Sequence, residues 1–150
     1  MIKLIVLDVD GTLTDGKITY SSSGEETKSF DVADGLAIAV WTKKFGKKAA
    51  IITGRNSTIV EKRAKELNIT HLHQGIKNKQ EVLENILKQE GLSWHEVAAI
   101  GDDLNDYNML KRVGLSFTPA NGTHYLKEFV NVICTNKGGE GAVREMLEYI

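Results

Sequence analysis

Three short apolar runs each break off abruptly into a polar loop, and this pattern constrains the fold more than any other. Residues 2–7, 49–52 and 97–100 read as buried strands. They run into Asp8-Val9-Asp10-Gly11, Thr53-Gly54-Arg55 and Gly101-Asp102-Asp103. Between them lie stripes at helical spacing: Val60, Ala64 and Leu67; Val82, Leu83, Ile86 and Leu87; and Val143, Met146, Leu147 and Ile150. Strands that alternate with helices need crossover connections, which build a mostly parallel sheet covered on both faces. The expected class is therefore α/β, a Rossmann-like three-layer sandwich with a mostly parallel central sheet. In such folds ligands sit beyond the carboxyl ends of the strands, where this chain places its acidic loops.

Shorter signals fill in the rest. Segments 18–20 and 27–30 flank Ser21-Ser22-Ser23-Gly24 and predict a β-hairpin. Asp34 is expected to cap a helix reaching about Lys44, with Gly46 stopping it. Further strands are expected at 71–73, 115–116 and 132–133, and a helix at 105–112. No linker or repeat divides the chain, so residues 1–150 are expected to form one domain.

Composition removes several function classes. Nineteen Lys and Arg against twenty Asp and Glu leave a net charge of −1, without the basic excess of a nucleic-acid binder. No apolar run approaches the roughly 20 residues that span a bilayer. The first residues lack the features of a secretory signal, and one cysteine cannot form an internal disulfide. The expected setting is the cytoplasm, with neither nucleic acid nor membrane as partner.

Asp8 and Asp10 stand two apart at a strand end, so their side chains can face the same way. Asp102 and Asp103 end another strand, and the fold brings the four carboxylates to one sheet edge. So many negative charges repel unless a cation sits among them. A donor set of oxygens without Cys or His favours Mg²⁺. Other motifs carry less. Gly11, Gly16 and Lys17 match part of a nucleotide-binding loop, but Ile18 takes the required Ser/Thr position and a strand follows where a helix should. Cys134 has no Arg six residues on and reads as a buried thiol. His71 and His73 lack a third ligand nearby. Lys43, Lys44, Lys47 and Lys48 read as a solvated helix end, and Trp41 and Trp94 as packing residues.

Asp8-Val9-Asp10-Gly11-Thr12-Leu13-Thr14-Asp15, then Ile52-Thr53-Gly54-Arg55, Lys79, and Gly101-Asp102-Asp103-Leu104-Asn105-Asp106 resemble the four ordered motifs of the haloacid dehalogenase superfamily of phosphotransferases. Phe30-Asp31-Val32-Ala33-Asp34-Gly35, Gln74-Gly75 and the stretch from Lys137 to Glu145 are similar to its octulosonate 8-phosphate phosphatases. The chain departs from that family's pattern at Ala33, where Arg is usual, and at Glu140. The resemblance implies Asp8 as nucleophile, Asp10 as general acid and base, and Thr53 and Lys79 as partners of the transferred phosphoryl group. It implies Mg²⁺ held by Asp8, the Asp10 carbonyl and Asp102, with Asp103 and Asp106 orienting metal waters and Lys79. Substrate contacts are expected from Asp10, Gly11, Asp31, Val32, Ala33, Asp34, Gly35, Gly54, Arg55, Arg63, Lys79, Asn105 and Arg144. Arg55, Arg63 and Arg144 would offer forks to the carboxylate of a sugar acid phosphate.

Neither the interval from Asp10 to Thr53 nor that from Thr53 to Lys79 has room for a separate cap domain. The hairpin and the 137–144 tail are the available covers, and the resemblance implies a homotetramer in which tails reach neighbouring sites. A phosphatase of a nine-carbon sugar acid 9-phosphate stays open as an alternative, as does a non-catalytic oligomerising regulatory module of this fold. A signalling receiver domain would need an acceptor Asp where the chain reads His71-Leu72-His73-Gln74.

Overall fold

The computed structural model describes all 150 residues. The chain runs through β1 (Leu4–Leu7), a hairpin of β2 (Thr19–Tyr20) and β3 (Glu26–Thr27), and α1 (Val32–Ala39). It continues through β4 (Lys48–Ile52), α2 (Thr58–Glu66), β5 (His71–His73), α3 (Lys79–Glu90) and β6 (Val97–Ile100). The last part holds α4 (Tyr107–Leu110), β7 (Leu115–Thr118), α5 (His124–Lys127), β8 (Val132–Ile133) and α6 (Ala142–Tyr149). Six strands make one sheet in the order β5-β4-β1-β6-β7-β8, parallel at every pairing. The expected α/β sandwich is what the chain adopts.

Strand periodicity sorts the core into two layers. Ile5 and Leu7 face the same side as Ala49, Ile51, Ala98 and Ile100, and pack under α1, α2 and α6. Leu4 and Val6 face the other way with Ala50, Ile52, Val97 and Ala99, beneath α3, α4 and α5. All four residues of β1 are fully buried, which is why this strand reads as an unbroken apolar run. The chain leaves β1 toward β4 on one side and returns through α3 to β6 on the other. That reversal opens a crevice at the carboxyl end of β1, between the loops that follow β4 and β6.

Several boundaries shift from their sequence expectation. The first helix starts at Val32, with Asp31 as its cap: the Asp31 carboxylate accepts from the Asp34 N–H at 3.0 Å. Asp34 instead turns inward and is buried. The same helix widens into a π-helical turn over Val40–Lys44, closed by the Phe45 N–H on the Val40 carbonyl, before Gly46 ends it at positive φ. The hairpin pairs only Thr19 with Thr27 and Tyr20 with Glu26. Its second arm stops short of Phe30 because Lys28 swings in toward Asp10. The helix expected at 105–112 is a 3₁₀ turn, Leu104–Asp106, leading into the short α4. No helix is long and apolar enough to cross a membrane.

Candidate active site

The crevice holds a pocket of about 270 Å³ lined by Asp8, Asp10, Gly16, Thr53, Gly54, Arg55, Asp102, Asp103 and Asn105. Each strand end supplies its share: β1 gives Asp8 and Asp10, β4 gives Thr53 to Arg55, and β6 gives Asp102 and Asp103. At its floor, the Lys79 ammonium donates to Asp8 Oδ1 at 2.9 Å and Asp106 Oδ1 at 2.6 Å. Lys79 is 1% exposed and Asp106 0%. A lysine at the first position of α3 opposes the helix dipole and the cost of burial alike. Two carboxylates offset both costs, so the chain holds a charged group where folding alone would place an apolar one.

Asp106 is the hub of its loop. Its Oδ2 accepts from the Asp102 and Asp103 N–H groups at 3.1 and 3.3 Å, and any Cβ on Gly101 would strike its carboxylate. Asp103 turns outward and caps the 3₁₀ turn by accepting from Leu104 N–H at 2.7 Å. Asp106 thus touches Lys79, the group it is expected to orient, while Asp103 spends its side chain on the turn. Gly11 stands at φ +86°, and a Cβ there would collide with the Asp102 carboxylate. Only glycine lets the β1 and β6 loops approach this closely.

Carboxylate oxygens of Asp8, Asp102 and Asp106 lie within 4.8 Å of one another. Burial, with Asp102 adding to it, pushes the Asp8 carboxyl up to about 7 despite Lys79. Burial followed by repulsion from Asp8 lifts Asp106 to about 7 as well, and burial raises Asp102. Crowded hard oxygens with too little positive charge suit a hard divalent cation such as Mg²⁺. Asp102 and the second oxygen of Asp8 are the free donors, since Lys79 takes only Oδ1 of Asp8 whereas both oxygens of Asp106 are spent on Lys79 and two amides.

These shifts carry a stability consequence. A carboxyl with a raised native pKa holds its proton longer folded than unfolded, so its contribution is complete below the unfolded value of 3.8 and lost as pH rises through about 7. Metal-free protein should therefore melt at a lower temperature at about pH 8 than at about pH 5.5. Added Mg²⁺ should raise the melting temperature far more at the higher pH. Scanning fluorimetry at both pH values, with and without the cation, checks this, and an equal Mg²⁺ effect at both would contradict it.

Not every residue expected in the site lies in this pocket. Asp31, Val32, Ala33, Asp34 and Gly35 open α1 elsewhere, with Arg63 and Arg144 around them. Arg63 stacks on Phe30 at 5.3 Å, and its guanidinium lies where a Gly35 Cβ would go. The Arg144 N–H donates to Asp34 Oδ1 at 2.9 Å, and its guanidinium donates to the Ala33 carbonyl. Burial lifts the Asp34 carboxyl to about 6. Arg55 is at the mouth as expected, yet 45% exposed and already paired with Glu26 Oε2 at 2.6 Å. Tail residues Gly138 and Gly139 pack on the chain's own loop, with the Gly139 N–H on the Thr12 carbonyl.

Sequence reasoning missed Lys28, whose ammonium sits 2.7 Å from Asp10 Oδ1. It missed Asn121 too. That side chain donates to the Gly11 carbonyl at 2.9 Å and accepts from the Gly138 N–H at 2.7 Å, tying tail to loop. The only signal for Lys28 was a lone basic residue two positions after Glu26 in the hairpin's second arm. Nothing local marks Asn121, because its partners lie far away in sequence. Of the four lysines expected at a solvated helix end, only Lys43 and Lys44 lie in the helix; Lys47 follows Gly46 and covers the Trp41 ring at 4.6 Å, and Lys48 opens β4. Cys134 is buried, and burial pushes its thiol up to about 12. His71 bonds Glu90 at 2.9 Å, and Trp94 packs beneath Arg112.

Comparison with known proteins agrees with this geometry. Residues 72–147 match the haloacid dehalogenase-like hydrolase family. The 3-deoxy-D-manno-octulosonate 8-phosphate phosphatase KdsC of Escherichia coli is 40% identical over 150 residues, spanning 99% of this chain and 79% of that protein. The Moraxella catarrhalis 3-deoxy-D-manno-octulosonate 8-phosphate phosphatase, solved with magnesium, phosphate and a KDO molecule, is 44% identical. It superposes with a TM-score of 0.95 over 99% of this chain and 84% of that one. The cobalt-bound deoxy-D-mannose-octulosonate 8-phosphate phosphatase YrbI of Haemophilus influenzae is 36% identical, with a TM-score of 0.92 over 99% of this chain and 86% of that one. With its acidic loops on the same fold as these enzymes, the chain belongs to the haloacid dehalogenase-like hydrolases, in the family of 3-deoxy-D-manno-octulosonate 8-phosphate phosphatases.

Proposed function

We propose that the chain is a Mg²⁺-dependent phosphatase that hydrolyses 3-deoxy-D-manno-octulosonate 8-phosphate to the free sugar acid and phosphate, a step in lipopolysaccharide precursor synthesis. The observation that carries the chemistry is the buried Asp8–Lys79–Asp106 array at the pocket floor. The substrate comes from the family likeness.

Asp8 attacks phosphorus. The P–O ester bond breaks, and the departing sugar oxygen takes its proton from the Asp10 carboxyl, leaving an aspartyl-phosphate and an ionised Asp10. Asp10 then takes a proton from water as the water oxygen attacks the same phosphorus. The bond to Asp8 breaks, its electron pair returns to the carboxylate, and phosphate leaves. Lys79 holds Asp8 in line and supplies positive charge beside the transferred group. Thr53, buried at the end of β4, and the Gly54 N–H take phosphoryl oxygens. Asp8, the Asp10 carbonyl and Asp102 would hold Mg²⁺, which supplies charge neutralisation at the phosphoryl group.

The single capless domain leaves the pocket open on the hairpin side. The Asp31–Gly35 segment, Arg63 and Arg144 lie apart from their own pocket, which suits a role toward a neighbouring site in a homotetramer. Exposed apolar side chains on α1 and the hairpin, Val32, Leu36, Ile18 and Tyr20, favour such association. We place this assembly in the cytoplasm, acting on a small sugar acid phosphate without nucleic acid or membrane.

A substrate panel tests the reading. Efficiency on the eight-carbon 8-phosphate should exceed that on a nine-carbon sugar acid 9-phosphate by about 10-fold or more, the scale set by pocket contacts. It should exceed a small aryl phosphate by a larger factor. Highest efficiency on the nine-carbon compound would transfer the assignment to that substrate.

A further inference from the structure

The hairpin reaches the pocket through one side chain. Lys28 follows β3 directly, and its side chain is 2% exposed. Its ammonium has two partners, Asp10 Oδ1 at 2.7 Å and Glu26 Oε1 at 3.2 Å. The other Glu26 oxygen accepts from Arg55 at 2.6 Å. Asp10, Lys28, Glu26 and Arg55 thus form a row of alternating charge running from the β1 loop, through the hairpin, to the β4 loop. The Asp10 carboxylate has no other side-chain partner in the fold, whereas Asp8 is held from below by Lys79.

Two physical points follow. A hairpin with two residue pairs cannot hold its own position, because so short a ladder is marginal in water. Its seat depends on these ion pairs. Second, an ammonium on Oδ1 leaves Oδ2 as the oxygen that can carry a proton, so one contact fixes which atom of Asp10 donates and accepts.

We propose that Lys28 is the positioning residue for Asp10: it fixes the carboxyl rotamer and assigns the mobile proton to Oδ2, so that seating the hairpin and aligning the acid–base group are one event. The proposal rests on the reading of Asp10 as general acid and base. Asp10 serves twice, protonating the sugar oxygen and later deprotonating water, and a misaligned carboxyl slows both steps. An aryl ester with a stable leaving anion needs only the second service.

The test compares Lys28→Met, Lys28→Arg and Asp10→Asn on the sugar acid phosphate and on 4-nitrophenyl phosphate, in rapid mixing and at steady state with Mg²⁺. On the sugar ester, Lys28→Met should lower kcat about 10- to 100-fold with KM nearly unchanged, a part of the full acid–base contribution. On the aryl ester it should release close to one equivalent of nitrophenolate per site rapidly, followed by slow turnover as the aspartyl-phosphate accumulates. Asp10→Asn should show the same two signatures more strongly, and Lys28→Arg should recover much of kcat. A raised KM with unchanged kcat on both esters would make Lys28 a phosphate contact and overturn the proposal. So would the absence of a burst in Lys28→Met when Asp10→Asn shows one. Absence of both signatures in Asp10→Asn would instead remove the acid–base reading of Asp10. Glu26→Gln, which leaves Lys28 in place, guards against a fold effect: kcat on the sugar ester should fall less than in Lys28→Met, and an equal or larger fall would count against Lys28.

Discussion

Asp8→Asn should lose turnover by about 10⁴-fold or more, the order seen when a covalent nucleophile is removed. The side chain keeps its size, and the pocket keeps Thr53, Lys79 and Asp102, so binding is largely retained. The amide lacks the negative charge and basicity needed to attack phosphorus, and no other carboxylate can replace it in line. Asp106 is turned away by its bonds to Lys79 and the Asp102 and Asp103 amides. Asp10 is committed to Lys28. The variant should also fold well. It removes one of two buried carboxylates that share a single ammonium, and with it one of the groups that makes the metal-free protein lose stability as pH rises. Steady-state rates, with melting temperature as the control, check this. Activity within about 10-fold of the parent, in protein free of deamidation, would remove Asp8 from the nucleophile's role.

The sequence carried the architecture because its strongest signals were local. Apolar strands buried on both faces read as unbroken runs, and residues 4–7, 49–52 and 97–100 are all buried. Placing acidic loops at the ends of those strands was enough to bring Asp8, Asp10, Thr53 and Asp102 to one pocket. Boundaries were less legible where tertiary contacts decided them. Asp31 and Asp34 are both plausible caps by residue type. Burial of Asp34 against the Arg144 amide settled the choice, and that contact spans 110 residues. The hairpin arms were placed by alternation, but Lys28 leaves its strand for a carboxylate eighteen residues earlier.

Arginine roles were the least legible part. Arg55 sits beside Thr53-Gly54 in sequence, and proximity alone made it a carboxylate ligand. In the fold its guanidinium already has a carboxylate from Glu26. A substrate would exchange one exposed ion pair for another, at small net gain. Arg63 and Arg144 gather at the start of α1, where the guanidinium of one fills the space above Gly35 and the backbone of the other holds Asp34. Spacing along one chain cannot say whether such a cluster serves its own pocket or a neighbour's. For that reason the oligomer and the Asp31–Gly35 segment belong to one proposal.

Removing divalent metal should abolish measurable turnover, a loss of about 10³-fold or more, and Mg²⁺ should restore it. The reason lies in the charges the chain assembles. Asp8, Asp102 and Asp106 bring their oxygens within 4.8 Å of one another, and the one ammonium that touches this cluster is that of Lys79. A phosphate monoester adds two more negative charges at the same place. At about 4 Å, with an effective dielectric near 20, each pair of like charges costs about 4 kcal/mol. Without a counter-charge, the nucleophile and its target repel too strongly to approach. Protonation of Asp8 would relieve the repulsion, but at the cost of the nucleophile itself. Among the acids, Asp102 should matter most for the cation, because Asp106 is occupied by Lys79 and two backbone amides while Asp102 has no cationic partner. Asp102→Ala should raise the Mg²⁺ concentration for half-maximal activity by about 10-fold or more and shrink the Mg²⁺-induced rise in melting temperature. Asp106→Asn should act differently, lowering kcat through a displaced Lys79 with a smaller shift in Mg²⁺ requirement. Full activity of chelator-treated protein, or a larger Mg²⁺ shift in the Asp106 variant than in the Asp102 variant, would mean that the crowded carboxylates are relieved by Lys79 alone or that the cation sits on the other side of the cluster.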